Sequence, residues 1–189
     1  MKVLGLGALE QRLQHDLNII GYPLNEWVPE KYTKDGERVL DVLIVGAGQG
    51  GLAIAFQLMR ERVNNVLVID KAEPGTEGPW INYARMPILR SPKEVKGPDL
   101  NIPSLSFQAW YEAQFGAPSW EAMGKIPTKM WMDYLVWYRR ILQLPVENGV
   151  RLDTFEPYED IQKVILFLSL IHISEPTRPL YISYAVFCL

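Results

Sequence analysis

The chain has 189 residues, 48% hydrophobic and 22% charged, ordinary proportions for a folded domain with a sizeable core. With 19 Lys and Arg against 22 Asp and Glu the formal charge is −3, and no long basic run interleaves with aromatic residues, so nucleic-acid binding has no electrostatic support. The lone cysteine, Cys188, excludes an intrachain disulfide and a cysteine-rich metal site; a short apolar start and no run near the roughly 18 apolar residues of a spanning helix point to a cytoplasmic protein with no metal and no membrane partner.

The first predicted element is an amphipathic helix in ALEQRLQHDLNII, with Leu9, Leu13, Leu17 and Ile20 facing inward. His15 lies on it with no neighbour that suggests a metal or a proton relay. Pro23, Trp27 and Pro29 form a connector that packs this helix onto the domain beginning near Asp41, and residues 1–40 read as one N-terminal segment. The second element, Val42 to Val45 in DVLIVGAGQGGLAIAF, is a β-branched apolar run typical of a strand buried on both faces. Gly46, Gly48 and Gly51 come next as G-x-G-x-x-G. The first permits the tight turn, the second lets backbone approach a pyrophosphate, and the third lets the next helix lie close to the strand. That helix opens near Gly50 with its unpaired N–H groups and positive dipole end toward the phosphates, so no lysine is needed. Gly51 and Ala55, four apart, keep its sheet-facing side small, and Asn64-Asn65 ends it. The next strand, VLVID, closes on Asp70, 24 residues after Gly46, where an acid accepts hydrogen bonds from ribose hydroxyls. The βαβ unit is therefore a dinucleotide-binding one.

From Lys71 to Gly149 runs a long excursion rich in proline and aromatic residues, and the next strand-like segment is Val150-Arg151-Leu152. A plain NAD-binding unit returns to its third strand sooner. The length suits a flavoprotein, whose larger cofactor needs extra walls. Within the excursion SFQAWYEAQFG predicts a short helix ended by Gly116. TKMWMDYLVWYRRILQL predicts a helix capped by Thr128, with Met130, Tyr134, Trp137 and Ile141 on one face and Trp131, Leu135, Tyr138 and Leu142 on its neighbour. These aromatics read as core packing in preference to a cage for a cation, and Arg139-Arg140 as solvent-facing. Arg85 and Arg90 are candidates for a flavin-side or substrate-anion contact.

The chain changes character after Lys163. VILFLSLIHI and LYISYAVFCL, two apolar runs, flank SEPTRP, a pattern that a terminal hairpin of buried strands would also give. SLIHISEPTRPLYISYAVFCL resembles the translation of a sequencing-library adapter. The expectation is a native text ending between about Asp160 and Phe167, with 41–165 a partial FAD/NAD(P)-binding domain and 166–189 a non-native tail.

VLIVGAGQGGLAIAFQL, VLVID and EGPW, followed by NYARMPILRSPKEV, resemble the N-terminal part of FAD-dependent, NAD(P)H-using oxidoreductases related to flavin-containing monooxygenases, over about Leu40 to Tyr158. The resemblance implies an α/β fold, a Rossmann-like FAD-binding βαβ unit with an incomplete parallel sheet, preceded by a short helix. It places Gly46, Gly48, Gly50 and Gly51 around the FAD pyrophosphate, Asp70 on the adenosine ribose with Lys71 beside it, and Trp80 by the flavin. Where the family usually has two adjacent glycines before that tryptophan, this chain has Gly78-Pro79-Trp80. The implied activity is flavin reduction by NAD(P)H and then transfer of one atom of dioxygen to a small-molecule substrate. The second glycine fingerprint that such enzymes carry downstream does not occur, so the chain reads as a fragment without turnover and with weak or no FAD retention. Two rivals stand beside this: an FAD-dependent reductase or dehydrogenase that does not oxygenate, disfavoured in its disulfide-reducing form by the lack of Cys-x-x-Cys, and a non-catalytic dinucleotide-binding module.

Overall fold

The computed structural model describes residues 3–21, 23–158, 161–168 and 177–187. Two compact units divide the chain: Met1–Tyr22 with Pro79–Gln143, and Pro23–Gly78 with Leu144–Leu189.

The second unit is an α/β layer. Its described elements are β1 (Leu40–Val45), α2 (Gln49–Arg60), β2 (Val66–Asp70), β3 (Val146–Asn148), β4 (Val150–Tyr158), β5 (Ile161–Leu168) and β6 (Thr177–Phe187), α2 being the second helix of the chain. They form a six-stranded sheet in the order β3-β2-β1-β6-β5-β4. β1 pairs in parallel with β2, Val42 opposite Val66 and Val45 opposite Ile69, and β2 pairs in parallel with β3, Asp70 opposite Asn148. β6 runs parallel to β1 on its other side, while β5 pairs antiparallel with β4 and β6. The core at β1 and β2 is Leu43, Ile69, Val150 and Ile182, none more than 5% exposed. These apolar side chains alternate with no polar face because both sides of the central strands are covered. The expected α/β fold with an incomplete parallel sheet is what the structure has.

Three expectations need correction. The chain returns to the sheet at Val146, before Val150: β3 occupies three residues of PVENG, too few for a periodic pattern, and Asn148-Gly149 ends it as a turn would. Thr128 does not cap its helix. It is the first residue of that helix, and its hydroxyl donates to the carbonyls of Met86 and Pro87, both at 3.3 Å. Ile20 is exposed because α1 (Leu6–Ile19) ends just before it, leaving Leu13 as the fully buried residue of that helix. Of the tail, residues 169–176, 188 and 189 lie outside the described residues.

The first unit is helical. It contains α1, a 3₁₀ turn at Pro103–Leu105, α3 (Phe107–Phe115), α4 (Ala117–Ala122) and α5 (Thr128–Ile141). Ser106 caps α3 by accepting from Ala109 N at 3.1 Å, and Gly116, at φ 81°, ends it in a conformation that disfavours side chains. α1 is tied down by Ser104 Oγ donating to Asp16, and by Trp137 Nε1 and Arg140 donating to Glu10. Phe107 sits among Trp110, Tyr111, Trp120, Trp131 and Tyr134 with ring centroids 5.4–6.2 Å away, a packed aromatic core.

Candidate functional site

The site grows out of the carboxyl ends of β1 and β2. Val42, Leu43 and Ile44 are buried, which fixes β1 between its neighbours. The chain then leaves the sheet at Gly46, whose φ of 107° few residues with a Cβ adopt and whose N–H donates to Ile69 O at 2.8 Å. Ala47 is buried and its N–H donates to Asp70 Oδ2 at 2.7 Å. Asp70 Oδ1 accepts from Ala72 N at 2.8 Å, so one carboxylate joins the glycine turn to the segment after β2. Each oxygen has taken one N–H and keeps lone-pair capacity for a hydroxyl donor.

Gly48 is the N-cap of α2 and offers no side-chain cap. The first N–H to close an intrahelical bond is that of Leu52, to Gly48 O at 3.0 Å; the N–H groups before it are left for a ligand or solvent. Gly51 is buried hard against the turn. A Cβ there would overlap the Gly46 carbonyl oxygen, with the carbonyl carbon at 3.0 Å and Ile44 Cγ2 at 3.3 Å. A Cβ at Gly48 would meet only Gly78 Cα at 3.5 Å, an ordinary contact. Gly51 is thus required by the fold itself, whereas the fold would accept a side-chain carbon at Gly48. Gly50 is exposed in the first turn of α2, and Lys71 is exposed just beyond β2.

The segment after Asp70 turns back toward the glycine loop through Gly75 and Gly78, both at positive φ. Two residues that sequence reasoning passed over pin it. Glu77, 3% exposed, accepts from Gly75 N at 2.8 Å and from Asn148 Nδ2 at 2.6 Å, and Asn148 Nδ2 also donates to Ala72 O at 3.0 Å. PGTEGP and ENG look like turn chemistry in the sequence. That an acid in the first and an amide in the second meet depends on the β2–β3 pairing, which no local pattern announces.

This geometry fits the phosphates and ribose of a dinucleotide. The loop presents no side chain where a Cβ would fill the approach, α2 directs its free N–H groups and dipole there, and Asp70 supplies an acceptor beside it. The structure brings Gly46, Gly48, Gly50, Gly51, Asp70 and Lys71 together at one end of β1 and β2. Trp80 belongs to the helical unit, where it packs edge-on to Trp131 with centroids 6.2 Å apart. Arg85 and Arg90 are exposed, as is His15.

In the helical unit the aromatic faces of α5 are core. Tyr134 and Tyr138 are fully buried and donate to Leu105 O and Pro98 O, both at 2.8 Å. Burial, with smaller effects of Tyr138 and Asp99, raises the Tyr134 hydroxyl well above its ordinary value of 10.0. Lys93 closes α4, donating to Trp120 O at 2.6 Å and Met123 O at 2.7 Å with its ammonium 4.7 Å from the Trp120 ring. Among the described residues no cluster of three His, Cys, Asp or Glu could hold a metal ion, and no helix is long and apolar enough to cross a membrane.

Comparison with known proteins agrees with this geometry. The chain is 53% identical to an FAD-dependent urate hydroxylase of Xanthomonas campestris pv. campestris over 154 residues, which is 82% of this chain and 32% of that protein. It is 34% identical to the FAD-binding monooxygenase andJ of Emericella variicolor over 39% of this chain and 16% of that one. The chain therefore spans about a third or less of these curated relatives. Among solved structures, an ornithine hydroxylase of Pseudomonas aeruginosa superposes on 79% of this chain and 38% of its own, with a TM-score of 0.62 at 16% identity. A flavin monooxygenase of Stenotrophomonas maltophilia does so over 79% of this chain and 38% of its own, with a TM-score of 0.58 at 19% identity. These last two likenesses speak for the fold alone. Residues 43–161, the glycine turn, Asp70 and the excursion after it, match the FAD-NAD(P)-binding family model, and the chain belongs to that family of flavoproteins.

Proposed function

We propose that this chain is the FAD-binding part of a cytoplasmic, NAD(P)H-dependent flavoprotein monooxygenase. The observation that carries the reading is the glycine turn held onto Asp70 through Ala47 N–H, with Gly48 bare at the start of α2 and only the Gly78 backbone beside it. In this reading Gly46, Gly48, Gly50 and Gly51 surround the pyrophosphate, Asp70 accepts from the adenosine ribose with Lys71 beside it, and Trp80 stands by the flavin. FAD, when bound, supplies the redox chemistry, taking electrons from NAD(P)H and serving oxygen transfer from dioxygen to a small-molecule substrate. The chain's own work is to bind and orient: the N–H groups of α2 neutralise phosphate charge without a lysine, and the Glu77–Asn148 link holds the segment carrying Gly78 against the loop.

The 53% identity to a urate hydroxylase supports oxygenation over a plain reductase, and makes urate the first substrate to test. The chain spans about a third of that relative; in this reading it does not turn over by itself. The test replaces the matching third of the Xanthomonas protein with residues 1–158 of this chain. The hybrid is expected to bind FAD and to oxidise NAD(P)H in a urate-dependent way, while the 189-residue chain mixed with FAD oxidises NAD(P)H no faster than FAD alone. A folded hybrid without FAD overturns the binding assignment, and brisk NAD(P)H oxidation by the 189-residue chain overturns the reading that it does not turn over alone.

A further inference from the structure

The helical unit satisfies most of its buried aromatic donors. Tyr134 and Tyr138 reach backbone carbonyls, and Trp137 Nε1 donates to Glu10 Oε1 at 3.0 Å. Two indoles are exceptions. Among the described residues, the Nε1 atoms of Trp80 and Trp131 are buried and have no acceptor. Trp131 is 4% exposed, so solvent does not supply one. A buried N–H without a partner costs stability that a folded protein ordinarily avoids, and such groups call for a specific explanation.

The two orphans are neighbours. Trp80 and Trp131 meet edge to face, with centroids 6.2 Å apart and planes at 70°. The Trp131 ring is held from several sides: Phe107 and Tyr134 lie 5.4 and 5.2 Å away, and a Cβ at Gly97 would stand 2.7 Å from its Cη2. Residue 97 must stay bare for the ring to sit there. The direction of the Trp131 N–H is thus fixed before any ligand arrives, as suits a group that recognises one.

We propose that the Trp80 and Trp131 N–H groups form a donor pair for the ring carbonyls of a flat, pyrimidinedione-type heteroaromatic ligand. This deepens the function proposed above and rests on it, since both an isoalloxazine and an oxidised purine carry such an edge. An indole N–H is a donor only, so the complementary ligand atom is an acceptor, and the apolar surroundings strengthen the bond by excluding water.

The test uses the 189-residue chain, Trp131→Phe, Trp80→Phe and, as control, Trp137→Phe. Each is titrated by equilibrium dialysis with lumichrome, a flavin ring without its side chain, with urate and with ADP. Lumichrome or urate is expected to bind the unaltered chain saturably, and each of the first two variants to bind it about three- to tenfold more weakly, the loss of one neutral hydrogen bond. ADP binding and the control stay unchanged. Lumichrome binding alone assigns the pair to the flavin, and urate binding alone to the substrate. Ring binding undiminished in Trp131→Phe, or no ring binding beside intact ADP binding, overturns the donor pair and leaves the nucleotide reading standing. Ring binding without ADP binding overturns the nucleotide reading and supports the pair; loss of both overturns both.

Discussion

Gly51→Ala separates what the fold demands from what a ligand demands. The new Cβ would overlap the Gly46 carbonyl oxygen and stand 3.0 Å from its carbon, where carbon atoms rest comfortably at about 3.5–4.0 Å. The start of α2 has to retreat by more than about 1 Å to clear that oxygen, yet Gly46 is anchored by its own N–H to Ile69 and Ala47 by its N–H to Asp70. Overpacking of this kind costs about 1–3 kcal/mol, and overlap with backbone places it at the upper end. Better helix propensity returns up to about 1 kcal/mol, leaving a net loss of about 2 kcal/mol. With an m-value of about 2 kcal/mol per molar urea, the midpoint falls by about 1 M. Gly50→Ala is the internal control: Gly50 is exposed in the same turn and has no positive φ, so alanine there stabilises by up to about 1 kcal/mol. Far-UV circular dichroism against urea reads both. A Gly51→Ala midpoint equal to or above that of the unaltered chain would refute the close packing on which the site is built.

Three other perturbations test separate parts of the structure. Asp70→Asn turns one acceptor of the Ala47 and Ala72 N–H groups into a donor; urea melts are expected to show a loss of about 1–3 kcal/mol, and FAD titration a weaker complex. Tyr134 has a raised folded-state value, so its contribution to stability is fully present below pH 10.0, its unfolded value, and is lost as pH rises above that; the slope approaches about 1.4 kcal/mol per pH unit. Denaturation from pH 8 to 11 is expected to show that fall in the unaltered chain and a shallower one in Tyr134→Phe. Ser106→Ala removes the cap on α3 and is expected to cost about 1 kcal/mol in the same melts.

The glycine turn, α2 and VLVID were legible because each element carries its own signal within a few residues, and the three signals agree on one unit. Apolar runs named the strands, bare positions named the turn, and Asp70 stood at the end of the second strand. What escaped depends on partners remote in sequence. β3 is three residues long and is a strand because β2 offers it an edge; Thr128 looks like a cap and instead reaches Met86 and Pro87, 42 and 41 positions away. Glu77 and Asn148 meet across 71 positions. Ile20 fits the apolar period of α1, but the helix has ended by then, and a period cannot mark its own last turn.

The most direct test of the central claim is saturable binding of FAD by this chain compared with Gly48→Ala. The Cβ at Gly48 meets only Gly78 Cα at 3.5 Å, with φ at −69°, so the variant is expected to keep the urea midpoint of the unaltered chain. FAD, titrated to high concentration to reach the weak complex that a partial domain forms, is expected to bind the unaltered chain and to bind the variant at least about tenfold more weakly, because the methyl stands where the pyrophosphate must approach. Equal saturable binding by the two proteins contradicts the account.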